Sequence, residues 1–203
     1  MTPAPTGRDA LLTRAIAHFA EHGVGDTSLR ALAESIGTSH RMLIYHFGSR
    51  DGLLAAVVDV VEQGARDTLA RVVDDARADP DPFEAGLRYW HMVTEEALIY
   101  GPLFFELTSH AMLGLPYAVD VRERLVTTWL DALTSMWAAR GVPTQEARAQ
   151  ASLDLAMARG LLHDLLLTGD RVRVDAAMER YSREVVDRMV RGRTPRSVRS
   201  DLP

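Results

Sequence analysis

The chain has 203 residues, 47% of them hydrophobic and 25% charged, with a net charge of −5. That is the composition of a folded globular protein of one or two domains, and it excludes a nonspecific nucleic-acid binder acting through bulk positive charge. Charges interrupt every long apolar segment, and there is no cysteine, so disulfide frameworks, thiolate metal sites and cysteine nucleophiles are excluded. All basic side chains other than His are Arg, and Asn is absent too, which reads as a GC-rich coding bias. Charge is uneven but only mildly so: residues 1–50 hold five Arg against four acids, for +1, and the remainder carries −6. The first seven residues lack a basic stretch followed by an apolar core, so they read as a short disordered leader rather than a secretion signal. A cytoplasmic location is expected.

Helical periodicity runs through almost the whole chain, and no Val/Ile-rich alternating stretch resembles a strand. Leu11, Leu12, Ala15, Ile16, Phe19 and Ala20 stripe a first helix that His22-Gly23 ends. Thr27 is placed to N-cap a second helix carrying Leu29, Leu32, Ala33 and Ile36, and Ser39 a short third with Met42, Leu43 and Tyr45. Phe47-Gly48-Ser49 breaks that one, and Ser49 starts a fourth helix reaching roughly Ala78. Asp79-Pro80-Asp81-Pro82 is a strong stop. The fifth helix presents Phe83, Leu87, Trp90, Thr94 and Ala97, and Gly101-Pro102 is expected to divide it from a shorter sixth containing Phe104 and Phe105. A seventh carries Val126, Trp129, Leu130, Leu133 and Trp137, an eighth runs from about Thr144 to Thr168, and a ninth from about Val172 to Val190. The Arg-rich end is expected to be disordered. The fold class is therefore all-α: a three-helix domain at 7–50, then a connecting helix and a five-helix body over 51–190, with a tail at 191–203.

The second and third helices, separated by Gly37-Thr38, have the layout of a helix-turn-helix. The later helix of such a unit must be short, held from below and polar outside. In Ser39-His40-Arg41-Met42-Leu43-Ile44-Tyr45-His46-Phe47, Leu43 and Phe47 lie four apart and can anchor to the core. Ser39, His40, Arg41, Met42 and Tyr45 are left for the major groove, where an Arg can donate two hydrogen bonds to a guanine edge. Thr27 and Ser39 sit at helix starts, which favour phosphate. Tyr45, His46 and Arg50 can grip the DNA backbone from the other end. Met42 has an equally good place in the core, and His46 can instead cap the helix end.

The run from Gly37 to Leu54, Gly-Thr-Ser-His-Arg-Met-Leu-Ile-Tyr-His-Phe-Gly-Ser-Arg-Asp-Gly-Leu-Leu, resembles the signature of the TetR family of repressors. The amphipathic first helix ending His22-Gly23 and the run Thr27-Ser28-Leu29-Arg30-Ala31-Leu32-Ala33 fit it as well, so the resemblance covers about residues 7–57. Three positions depart from it. Ile44 stands where the family often has Tyr, leaving Tyr45 to carry that contact; Arg50 replaces the usual Lys; and Arg41 stands where many members have a small residue. The resemblance implies a homodimer on a palindromic double-stranded DNA operator, released by a small, largely apolar effector bound in the body. A helical DNA-binding protein without an effector is the alternative.

Within the body, Trp90, Phe104 and Trp129 lie on or near apolar stripes and are the expected cavity wall, with the competing possibility that they fill a solid core. His110 and His163 are the expected polar groups to orient a ligand, because a His in apolar surroundings needs a partner. His91, His110 and His163 are scattered without i,i+4 spacing, and no metal site or cofactor is expected. Glu95 and Glu96 point about 100° apart on a helix and make no paired-carboxylate site. No phosphate loop or nucleophile elbow occurs, so no enzyme is expected. In the eighth helix, Ala149, Ser152, Ala156 and Gly160 form a small-residue stripe, while Leu153, Met157, Leu161 and Leu165 line a second face and Leu155, Leu162 and Leu166 a third. A helix apolar nearly all round is buried on several sides. The eighth and ninth helices of two chains are expected to form a four-helix dimer interface, with a merely well-buried core helix as the alternative.

Overall fold

The computed structural model describes residues 7–78, 81–118 and 121–189. Residues 1–6 of the expected leader and the expected tail lie outside the described residues, while Gly7 already begins a helix. Eight α-helices follow one another: α1 (Gly7–His22), α2 (Leu29–Ser35), α3 (His40–Phe47), α4 (Arg50–Ala78), α5 (Pro82–Met112), α6 (Val121–Ala139), α7 (Thr144–Thr168) and α8 (Arg171–Met189), with a 3-10 turn at Pro116–Ala118 before α6. No strand occurs among the described residues.

Local chemistry sets the short elements. Ser28, not Thr27, caps α2: its backbone is extended and its hydroxyl accepts from Ala31 N at 3.2 Å. Thr27 lies one residue too early, and its carbonyl is taken by another group described below. Ser39 caps α3 as its position suggested, accepting from Met42 N at 3.2 Å. Between the two helices Gly37 has φ +68°, a conformation that a side chain would strain. Arg14 of α1 fastens the end of α2 by donating to Ile36 O at 2.9 Å. Beneath this unit Leu11, Ala15, Phe19, Leu32, Leu43 and Phe47 pack together with Leu53, Leu54 and Val57 of α4.

The expected division at Gly101-Pro102 does not occur. The fifth and sixth helices of the sequence reading are one helix, α5, with Pro102 inside it. Pro102 supplies no amide hydrogen, so the helix forgoes one hydrogen bond there. Gly101 is buried against α7, where an added Cβ would come within 2.6 Å of Leu166 Cδ1. The glycine marks a close approach of two helices rather than a break. The body thus consists of α5–α8 packed on the connecting helix α4.

Because α5 continues, its C-terminal half enters the N-terminal unit. Leu103, Leu107 and Ala111 belong to the same buried cluster as the core of α1–α3. One turn of α5 also reaches the loop after α1: Glu106 accepts from Val24 N at 2.7 Å and from Gly25 N at 3.0 Å. At the opposite end of the body Trp90 of α5, only 1% exposed, donates to Asp175 of α8 at 2.6 Å. Trp137 of α6 donates to Asp154 of α7, also at 2.6 Å. The two indoles are buried with their N–H groups satisfied, as burial requires.

Candidate DNA-binding surface and body cavity

The outer face of α3 carries His40, Arg41, Met42, Ile44 and Tyr45, all exposed, while Leu43 and Phe47 are buried beneath. Tyr45 is 78% exposed, more open than Met42 or Ile44. Met42 is 41% exposed, so it stands on the outer face and not in the core. His46 is half-buried, edge-on to Tyr45 at 4.9 Å. Arg8 of α1 lies over the Phe47 ring at 5.2 Å and brings a further positive charge near the end of α3.

Arg50 is used differently from the rest. Its Nε donates to Thr27 O at 2.9 Å and its Nη2 donates to Gly25 O. The loop after α1 is therefore held from two sides, its amides by Glu106 and its carbonyls by Arg50. Thr27 is half-buried beside that guanidinium. The i,i+4 pair His18 and His22 lies on α1, with the rings stacked at 4.5 Å and His18 Nδ1 3.0 Å from Ser35 Oγ. Burial, then the neighbouring His22, push the His18 pKa down. No cluster of three potential metal ligands surrounds them among the described residues.

A cavity of about 400 Å³ lies between α1, α4, α5, α6 and α7. Its wall is mostly apolar and aromatic: Val60, Val61, Val93, Ala97, Phe104, Phe105, Tyr89, Trp129 and Leu162. Thr13, Ile16 and Ala17 of α1 complete it on the side of the N-terminal unit. The polar groups on the wall are Thr13, Thr68, Glu96, Arg159 and the two phenols of Tyr89 and Tyr100. Thr68 donates to Glu96 at 2.7 Å, and Arg71 approaches the same carboxylate at 3.8 Å. Desolvation lowers the Arg159 pKa and raises that of Tyr89.

Residues 11–57 match the family described as bacterial regulatory proteins, tetR family. In that segment the chain is similar to the TetR family. Over 174 residues it is 29% identical to the HTH-type transcriptional regulatory protein RaaS of Mycobacterium tuberculosis, spanning 85% of this chain and 77% of that protein. A transcriptional repressor of the same organism is 41% identical over 59 residues, 27% of this chain and 31% of its own length. Among solved structures, a transcriptional regulator from Rhodococcus superposes with a TM-score of 0.77 at 20% identity, covering 90% of this chain and 97% of that one. One from Saccharomonospora viridis, in complex with choline, superposes at 0.68 and 21% identity over 89% and 95% of the two chains. The matched family and the curated relatives are transcription regulators, which supports a DNA-binding regulator.

Of the five body residues singled out from sequence, the cavity brings together Phe104 and Trp129. Trp90 lies away from it, in the α5–α8 contact, bordering a smaller crevice of about 110 Å³. His110 is half-buried beside Tyr117, whose hydroxyl is 2.9 Å from His110 Nδ1, and lines no part of the cavity. His163 is exposed, edge-on to Phe105 at 5.2 Å, and is likewise off the wall. Sequence reasoning passed over Tyr89 and Arg159, and weighed Glu96 only as half of a carboxylate pair. For Arg159 a signal existed: it is the only Arg between Arg148 and Arg171, within the most apolar stretch of α7.

The two carbonyls held by Arg50 give a direct test. Arg50→Ala should lower the free energy of unfolding by about 1.5–3 kcal/mol, the range for hydrogen bonds from a charged group, in urea denaturation. Unchanged stability with weaker DNA binding would make Arg50 a phosphate contact instead.

Proposed function

We propose that the protein is a homodimeric repressor that leaves a palindromic operator when a small, largely apolar ligand fills the body cavity. The observation that carries this reading is the composition of the cavity wall, which joins α1 to the body through Thr13, Ile16 and Ala17. A molecule there touches the DNA-binding unit and the body at once. It can shift the equilibrium between two arrangements by its different affinity for each. The volume lies within the range of about 300–1,000 Å³ usual for small-molecule sites. A choline complex is known for one neighbour in fold, which supports this architecture as a container for small molecules. These observations favour the liganded reading over a regulator without an effector.

On DNA, α3 would enter the major groove with His40, Arg41, Met42 and Tyr45 toward the bases and backbone. The Ser39 and Thr27 ends and His46 would lie beside phosphates. Arg50 would act at one remove, by holding the loop after α1. No helix among the described residues is long and apolar enough to cross a membrane, and a cytoplasmic place suits a partner that is genomic DNA.

Dimerisation is assigned to α7 and α8. In the single chain Leu153 is 54% exposed, Leu167 73% and Val172 81%. Beside them Ala149, Ser152, Ala156 and Gly160 stand open, while Leu155, Leu162 and Leu165 face their own domain. A small-residue stripe flanked by open apolar side chains suits close packing against the same pair of helices in a second chain.

Arg41→Ala should weaken binding to the selected operator by about 1–3 kcal/mol and relax preference at one base pair, measured by fluorescence anisotropy on specific and random duplexes. Equal losses on both would reject base reading by Arg41. An added Cβ at Gly160 meets nothing within 4 Å in the single chain. Gly160→Leu should therefore leave the subunit folded, while overpacking the interface by about 1–3 kcal/mol. Sedimentation should show weaker dimers; an unchanged dimer would place the interface elsewhere.

A further inference from the structure

From the charges on the cavity wall, and resting on the reading of that cavity as the effector site, we infer that the effector is an apolar monocarboxylate whose head group meets Arg159. The two ionised groups on the wall differ in how they are partnered. Glu96 already accepts from Thr68 at 2.7 Å, and Arg71, which itself donates to Thr68 at 2.9 Å, lies 3.8 Å from it. Its charge is answered within the protein. Arg159 is half-buried and donates from Nη2 to Leu125 O at 2.8 Å. No carboxylate pairs with it among the described residues.

A guanidinium drawn out of water beside aromatic and aliphatic walls, with only a neutral carbonyl as partner, is incompletely compensated. Its planar fork suits a carboxylate, which can accept two parallel hydrogen bonds. Tyr89 lies on the facing helix α5, near enough for the Arg159 charge to act on it, and its phenol can add a third donor. The rest of the wall, Val93, Phe104, Phe105 and Trp129, demands an apolar body behind the head group. A positively charged ligand would gain from the aromatic faces but would bring a second cation beside Arg159. The balance of charge on the wall therefore selects an acid, with either a straight alkyl or an aryl body.

The test is calorimetric titration of the full-length protein at pH 7.5 with decanoate, decanol and decyltrimethylammonium, which share one alkyl body, and with phenylbutyrate as an aryl acid. The acid should bind at least about tenfold tighter than the alcohol, the lower end of what a charge-assisted hydrogen bond contributes. Arg159→Gln should erase that preference, and Glu96→Gln should preserve it. Arg159→Lys should keep the acid ahead, which covers the case that the Gln variant fails to fold. Comparison of decanoate with phenylbutyrate separates alkyl from aryl acids. Equal binding of the three alkyl probes, or tightest binding of the cation with its loss in Glu96→Gln, would overturn the acid while leaving the cavity a ligand site. Binding of none of the probes would overturn both.

Discussion

The arrangement depends on a short loop held from two sides. After α1 the chain must turn into the helix-turn-helix, and its backbone groups there cannot pair with one another as they would in a helix. Glu106 takes the amides of Val24 and Gly25, and Arg50 takes the carbonyls of Gly25 and Thr27. One clamp comes from the body and the other from the first turn of the connecting helix. The orientation of α2 and α3 relative to the body is set where these two side chains meet the loop. Both contacts are charge-assisted, and hydrogen bonds of that kind contribute about 1.5–3 kcal/mol each. That is enough to bias a domain position and small enough for a ligand to oppose.

The continuity of α5 makes this joint possible. If the helix ended at Gly101, Glu106 would sit on a separate element, and the cavity wall at Phe104 and Phe105 would have no rigid link to the loop. As built, Phe104 and Phe105 line the cavity and Glu106 follows directly, while Leu103 and Leu107 lie in the core of the N-terminal unit. Any displacement of the aromatic pair is carried along the helix to the carboxylate. The same segment explains why α1 lines the cavity, since α5 brings the two units into one core.

The N-terminal unit was legible because local and global signals agree there. Leu43 and Phe47 are four apart and buried, Ser39 caps, Gly37 turns, and Tyr45 and Arg41 are left outside. The cap of α2 falls one residue later than expected: Thr27 and Ser28 are both good caps, but Ser28 O takes the first helical amide, Leu32 N, while Thr27 O accepts from Arg50. The body was harder to read. Gly101-Pro102 looks like a break in one dimension and is a helix–helix contact in three, because Leu166 comes from far along the chain. Trp90 and Trp129 have similar surroundings in sequence, yet the Asp175 partner draws the first into a solid contact and leaves the second on the wall. His110 and His163 found partners in Tyr117 and Phe105, neighbours that no periodicity predicts.

The most direct measurement of the joint is amide hydrogen exchange at Val24 and Gly25 in the full-length protein, compared with Glu106→Ala. With the carboxylate in place these amides should be protected, although they lie in a loop. Its removal should speed their exchange by about tenfold or more, the equivalent of losing a charge-assisted hydrogen bond, and exchange in α3 should rise with it. Rapid exchange at both amides in the unaltered protein, or rates unchanged by the substitution, would contradict the account.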